Sequence, residues 1–107
     1  MGWFENSLTA DDWGICVGDP EFAMRAFSWE SVSRLRAYAI ATEGDRFSVV
    51  EVHHDDDWEE ILSDWRDFPA VADGLSAYLT GLRPDWLDII LGLPAGVQPV
   101  TVWERPA

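Results

Sequence analysis

Residues 47–68 read FSVVEVHHDDDWEEILSDWRDF, and the assignment of this stretch decides the fold. Phe47 to His53 is rich in Val and follows the turn sequence Thr42-Glu43-Gly44-Asp45, which predicts a strand near the middle of a sheet. Beyond it the period changes. Asp55, Asp56 and Asp57 are each suited to cap a helix, and Trp58, Ile61, Leu62, Trp65 and Phe68 then fall on one stripe of a helical projection. The spacing therefore predicts an amphipathic helix over 57–68.

Toward the C-terminus, Pro69 starts or kinks a second helix on which Val71, Leu75, Tyr78, Leu79 and Leu82 recur, interrupted at Gly81. A short helix from Pro84 to Leu91 ends at Gly92, and Val97 to Glu104 predicts a closing strand that Pro99 assigns to an edge. Toward the N-terminus, Ser28 can cap a helix reaching about Ala41 through Trp29, Val32, Leu35 and Ala39, with a strand over Leu35 to Ala41 as the alternative. Glu21 to Trp29 admits both readings: Asp19-Pro20 is a helix start, yet Phe22, Met24 and Ala26 alternate. Thr9 to Asp12 predicts a helical turn, and Trp13 to Val17 a strand closed by Gly18-Asp19-Pro20. With no repeat, low-complexity tract or linker, residues 1–107 are expected to form one α+β domain. A short, mainly antiparallel sheet would pack against two to four helices.

A chain of 107 residues, 48% apolar with seven Trp, can bury one core holding roughly 65% of the surface its unfolded form exposes. It is too aromatic for a disordered acidic tail. Its single cysteine, Cys16, rules out a disulfide scaffold and reads as a buried free thiol. Residues 1–20 lack the basic start and apolar run of a signal peptide, and no segment approaches the ~20 apolar residues of a membrane span. The cytoplasm is the expected location.

Twenty acids against seven arginines, with no lysine, give a net charge of −13. Such a balance argues against nucleic acid or an anionic membrane as a direct ligand and points to a basic protein partner. The charge is unevenly spread: Glu51 to Phe68 carries eight acids and one Arg, a net of −7. On the predicted helix Glu59, Glu60, Asp64 and Asp67 lie opposite the apolar stripe. Macrodipole stabilisation of ~0.3–1 kcal/mol accounts for acids in the first turn, but fades beyond it. This face is thus either solvated or a partner surface.

The set expected to bind the partner is Asp56, Glu59, Glu60, Asp64 and Asp67, with Trp13 beside Asp11-Asp12 and Trp86 beside Asp85 as aromatic anchors. Trp29, Trp58 and Trp65 are expected in the core, whereas Trp3 and Trp103 lie near the ends. His53, His54 and Asp55 to Asp57 offer nitrogen and oxygen ligands for a small metal-dependent hydrolase, the enzymatic alternative. Adjacent strand residues point to opposite faces, however, so His53 and His54 are poorly placed to grip one ion. Phosphate-binding glycine loops and a nucleophile elbow are missing from the sequence, and no catalytic residue or cofactor is expected.

This profile of a Trp-rich acidic domain is similar to that of bacterial immunity proteins and antitoxins, which cover the active sites of basic nucleases and other toxins. Residues 99–104, PVTVWE, resemble a strand of the barstar-type inhibitors, a six-residue likeness that carries no site residues over. The resemblance implies an inhibitor and not an enzyme. Phage-encoded acidic mimics of DNA share the profile and form the alternative.

Overall fold

The computed structural model describes residues 7–18 and 24–106, which form two antiparallel sheets and two helices. Strands β1 (Ser7–Ala10), β2 (Gly14–Gly18) and β3 (Met24–Ser28) make a small sheet in the order β1-β2-β3. Strands β4 (Val32–Thr42), β5 (Asp45–His54), β6 (Asp57–Leu62) and β7 (Val100–Glu104) make a larger one in the order β6-β5-β4-β7. Helices α1 (Phe68–Tyr78) and α2 (Trp86–Leu91) lie between β6 and β7 in the chain. The expected α+β mixture holds in this coarse form. The expectation of one short sheet on two to four helices overstated the helical part: the described residues are mostly strand, in two sheets, with only two α-helices.

Three segments differ from the sequence expectation, each for a local reason. Ser28 does cap a helix, but only the single 3-10 turn Trp29–Ser31: its hydroxyl accepts from the Ser31 N–H at 3.2 Å. The helical spacing of Val32, Leu35 and Ala39 is contained in a period-two row, Leu35, Ala37 and Ala39, all buried, so the strand alternative prevails. Thr9 to Asp12 is no helical turn. Ala10 ends β1, and the Asp11 carboxylate accepts from the N–H groups of Trp13 and Gly14 at 2.9 and 3.1 Å, turning the chain into β2.

The third correction concerns the predicted helix over 57–68. Asp55 adopts φ 53°, a left-handed conformation that Asp tolerates better than most residues, and Asp55-Asp56 form a two-residue hairpin turn. The acids expected to cap a helix instead reverse a strand. β6 pairs with β5 from His54↔Asp57 to Val49↔Leu62, after which Trp65 N–H bonds to Leu62 O at 3.1 Å in the turn that leads to α1. Of the Glu21 to Trp29 segment, Met24–Ser28 is strand; residues 21–23, with Asp19-Pro20 and Trp3, lie outside the described residues.

Elsewhere the expected elements stand with shorter bounds, the second helix ending at Tyr78 before Leu82 and the closing strand starting at Val100 and not Val97. β5 is an interior strand, α1 carries Pro69 in its first turn, Gly92 closes α2, and β7 occupies an edge. One apolar cluster runs through both sheets and both helices, including Ile15, Val17 and Phe27, Leu35, Val50, Val52 and Ile61, and Val71, Leu75 and Ile90. Trp29 joins the small sheet to α1. Its indole N–H donates to Asp11 O at 2.8 Å, and its ring stacks on Tyr78 with centroids 5.2 Å apart.

Gly74 of α1 lies beneath that indole, and a Cβ there would come within 2.6 Å of two Trp29 ring atoms. Replacing a helical Gly by Ala gains about 1 kcal/mol of propensity, whereas forcing a methyl into a packed core costs about 1–3 kcal/mol. Because Trp29 is anchored at its nitrogen and on its face, it cannot yield cheaply. Gly74→Ala is therefore expected to lower the urea midpoint, with the loss traced to the Trp29 side chain by its altered near-UV dichroism.

Candidate functional site

Cross-strand partners share a face of a sheet, so the register sorts the acidic segment into two sides. Arg34, His53 and Trp58 form one row on the outer face, and Arg36, Glu51 and Glu60 form the next. The inner face carries Leu35, Val52 and Glu59 in one row and Ala37, Val50 and Ile61 in another. Glu59 and Glu60, expected together on one helical face, thus point in opposite directions.

Glu59 is buried at 6% exposure. Its carboxylate accepts from Arg25 Nε and Nη2 of β3 at 2.5 and 2.8 Å, a bidentate pair linking the two sheets. Those hydrogen bonds, ahead of the opposing effect of burial, raise the Arg25 pKa above its ordinary value. Beside it His54 stacks flat on Phe27 at 3.9 Å, with Nδ1 3.3 Å from Asp55. Glu59 is committed to the fold, and no surface remains on it for a partner.

The remaining expected residues are dispersed. Glu60 is exposed and accepts from Tyr38 OH at 3.1 Å, Asp56 is exposed at the hairpin tip, and Asp64 and Asp67 are exposed in the turn before α1. Trp13 is 58% exposed, as an anchor requires. Trp86 is the reverse: it is 2% exposed, and its indole donates to Ser76 Oγ at 2.8 Å. Its large ring fills the core, so it is no interface anchor. Trp58 departs from expectation in the opposite sense, half exposed where a core residue was expected, while Trp29 and Trp65 are buried. Cys16 is a free thiol, only partly buried.

What the structure brings together is an open groove of about 440 Å³ on the outer face, above the hairpin that joins β5 and β6. Arg34 and Arg36 of β4 line one side, His53 and Glu51 the centre, and the Asp55 to Asp57 turn with Trp58 the other side. His53 Nε2 lies 3.0 Å from Glu51 Oε1, and Arg36 Nε lies 3.7 Å from the same oxygen. The His53 and Trp58 rings stack loosely at 5.8 Å. Arg34, Arg36 and Glu51 were not singled out from sequence. The signal that could have found them is the alternation of Arg34, Arg36 and Tyr38 with Leu35, Ala37 and Ala39.

Among the described residues, no group of three or more His, Cys, Asp or Glu side chains is placed to hold a metal ion. His53 belongs to the outer face and His54 to the inner, as the strand period requires. No described helix is long and apolar enough to cross a membrane. Comparison with protein-family models, with curated proteins and with solved structures finds no significant similarity.

Beside the groove, burial first and then the Glu60 carboxylate push the Tyr38 pKa from 10.0 up to about 12. A raised folded-state pKa means that the neutral phenol is favoured by folding, so its contribution is complete below pH 10 and lost as the pH climbs toward 12. Ultraviolet titration is expected to show a late tyrosine that vanishes in Tyr38→Phe. In Glu60→Gln it should move down without reaching 10, because burial remains.

Proposed function

We propose that this protein is an acidic inhibitor of the immunity type, a cytoplasmic factor that covers the basic active site of a toxin or nuclease. The observation supporting this reading is the tip of the β5–β6 hairpin. There Trp58, 50% exposed, stands beside the carboxylates of Asp55, Asp56 and Asp57 on the rim of an open groove. An exposed indole next to carboxylates is a receptor for lysine and arginine side chains, since ring face and anions both attract a cation while the ring supplies contact area. The net charge of −13 adds long-range steering toward a basic surface.

Trp13 with Asp11 and Asp12 repeats the combination at the β1–β2 turn, and the exposed Asp64 and Asp67 extend the field. No chemistry is required of any of these groups. Their work is to occupy the cationic site that a substrate phosphate would otherwise fill.

The immobilised protein is expected to retain a basic protein from cells of its source, and an Asp56→Arg, Trp58→Ala double variant to lose it. Association should slow by about tenfold or more between low salt and 0.2 M, as electrostatic steering predicts. The captured partner's enzymatic activity should fall to zero at equimolar inhibitor. Retention that survives the double substitution, or a captured protein that stays fully active, contradicts the proposal. A captured partner that is a DNA-binding complex, released by competing duplex DNA, assigns the chain to the DNA mimics instead.

A further inference from the structure

The groove beside Trp58 contains a charge that a purely basic partner would not call for. Arg25 is paired with Glu59, Arg36 with Glu51, and Arg83 with Asp85; Arg46 donates to Leu91 O and Arg105 to Val32 O and Trp29 O. Arg34 makes no side-chain hydrogen bond or ion pair among the described residues, although its Nε is closed off from solvent. In a chain with twenty acids, this guanidinium lines the groove with none of the groove's own carboxylates bonded to it. Its cross-strand neighbours are His53, which faces Glu51, and Glu104 at the β7 edge, which does not reach it.

The opposite rim holds the complementary vacancy of charge. Asp55 is turned to His54, and Asp57 accepts from its neighbour's N–H at 2.8 Å and contributes to the field on Arg25. Asp56, between them, is exposed and has no partner among the described residues. One unpaired cation and one unpaired anion therefore flank the groove, and the Trp58 indole, stacked loosely on His53, lines it with them.

We propose that the groove is a dipolar docking site: it receives a lysine or arginine of the protein partner at Asp56 and Trp58, and an adjacent aspartate or glutamate of that partner at Arg34. A planar guanidinium fork matches a carboxylate, and the part of Arg34 that stays open to the groove can donate to one while its Nε is held inside. A singly charged carboxylate suits the place better than a phosphate, whose second charge would be repelled by Glu51 and the Asp55 to Asp57 turn. Arg34 also repels an uninterrupted basic segment, so it selects among basic partners and does not merely strengthen attraction to all of them. This assignment rests on the basic-partner reading of the same hairpin.

Two blocked peptides separate the assignment from plain charge attraction: acetyl-Lys-Asp-Lys-Lys-amide and its isostere acetyl-Lys-Asn-Lys-Lys-amide. A surface that reads positive charge alone must bind the Asn peptide more tightly, because it carries one more net positive charge. The dipolar groove must prefer the Asp peptide, by about tenfold for one charge-assisted hydrogen-bonded pair. Titration at low salt is followed by nuclear magnetic resonance on the Arg34 Nε–H and Trp58 Nε1–H signals. The expected result is tighter binding of the Asp peptide with both signals shifting, and inversion of that preference in Arg34→Gln. An Asn peptide that binds as well or better overturns the dipolar assignment and leaves the basic-partner reading standing. Preference for the Asp peptide that persists in Arg34→Gln overturns it too, by seating the carboxylate elsewhere. If neither peptide shifts either signal, both readings of this hairpin fall.

Discussion

The register of β4 against β5 is the constraint from which the rest of the large sheet follows. Gly44, at φ 79°, supplies the left-handed turn residue between Thr42 and Asp45, and from there the pairing runs the length of both strands to Val32↔His54. Side chains alternate with a period of two, so a slip of one residue would carry Val50 and Val52 into solvent and Glu51 and His53 into the core. The bulge between Val32 and Arg34 takes up the irregularity at the far end, next to the groove. A second hairpin, turning on Asp55, passes the same register to β6 and thereby decides that Glu59 faces inward and Glu60 outward.

The junction of the two sheets is apolar for most of its extent and polar at a few fixed points. Arg25 and Glu59 form the main one, with the carboxylate buried and the guanidinium half in water. A wholly buried pair loses about as much in desolvation as it gains in attraction, but here only one partner is fully withdrawn and the other keeps part of its hydration. The stack of His54 on Phe27 and the bond from the Trp29 indole to Asp11 O set the small sheet in place at two further points. The charge of the acidic segment is thus divided by the fold: one carboxylate is spent on cohesion, and those of the hairpin tip are left to solvent.

What the sequence made legible were elements whose signals are local. Val-rich Phe47 to His53, Pro69 at the head of α1 and Gly92 at the end of α2 kept their predicted roles, because each depends on the residue and its immediate neighbours; Pro99 stands just before the edge strand and not within it. The segment from Asp57 to Phe68 hides its fold because its apolar residues fit a period of 3.6, while Asp57–Leu62 pair as a strand with a period of two and the residues after them turn into α1. The strand pattern was concealed by an inversion, an exposed Trp58 next to a buried Glu59. Only Arg25, 34 residues away, makes that inversion affordable, and no window of local sequence contains it. Trp86 was misplaced for a related reason, since flanking Asp85 suggested a surface while the Ser76 hydroxyl satisfies the indole inside. The acidic tip with Asp56 was legible as charge; its companions Arg34, Arg36 and Glu51 became visible only once β4 and β5 were laid side by side.

β7 fastens the fold at a distance. Trp103 donates to Thr80 O, and Arg105 donates to Val32 O and Trp29 O across separations of 73 and 76 residues, while the strand itself pairs with β4. During synthesis β4 is made long before its neighbour exists. At about 5–20 residues per second, roughly 4–15 s pass between Val32 and Arg105, and over that time one edge of β4 has no strand to bond. Any sheet that forms in the nascent chain is therefore half-finished, with one edge of β4 open to other extended segments, and its final topology is sealed only after translation has passed residue 105.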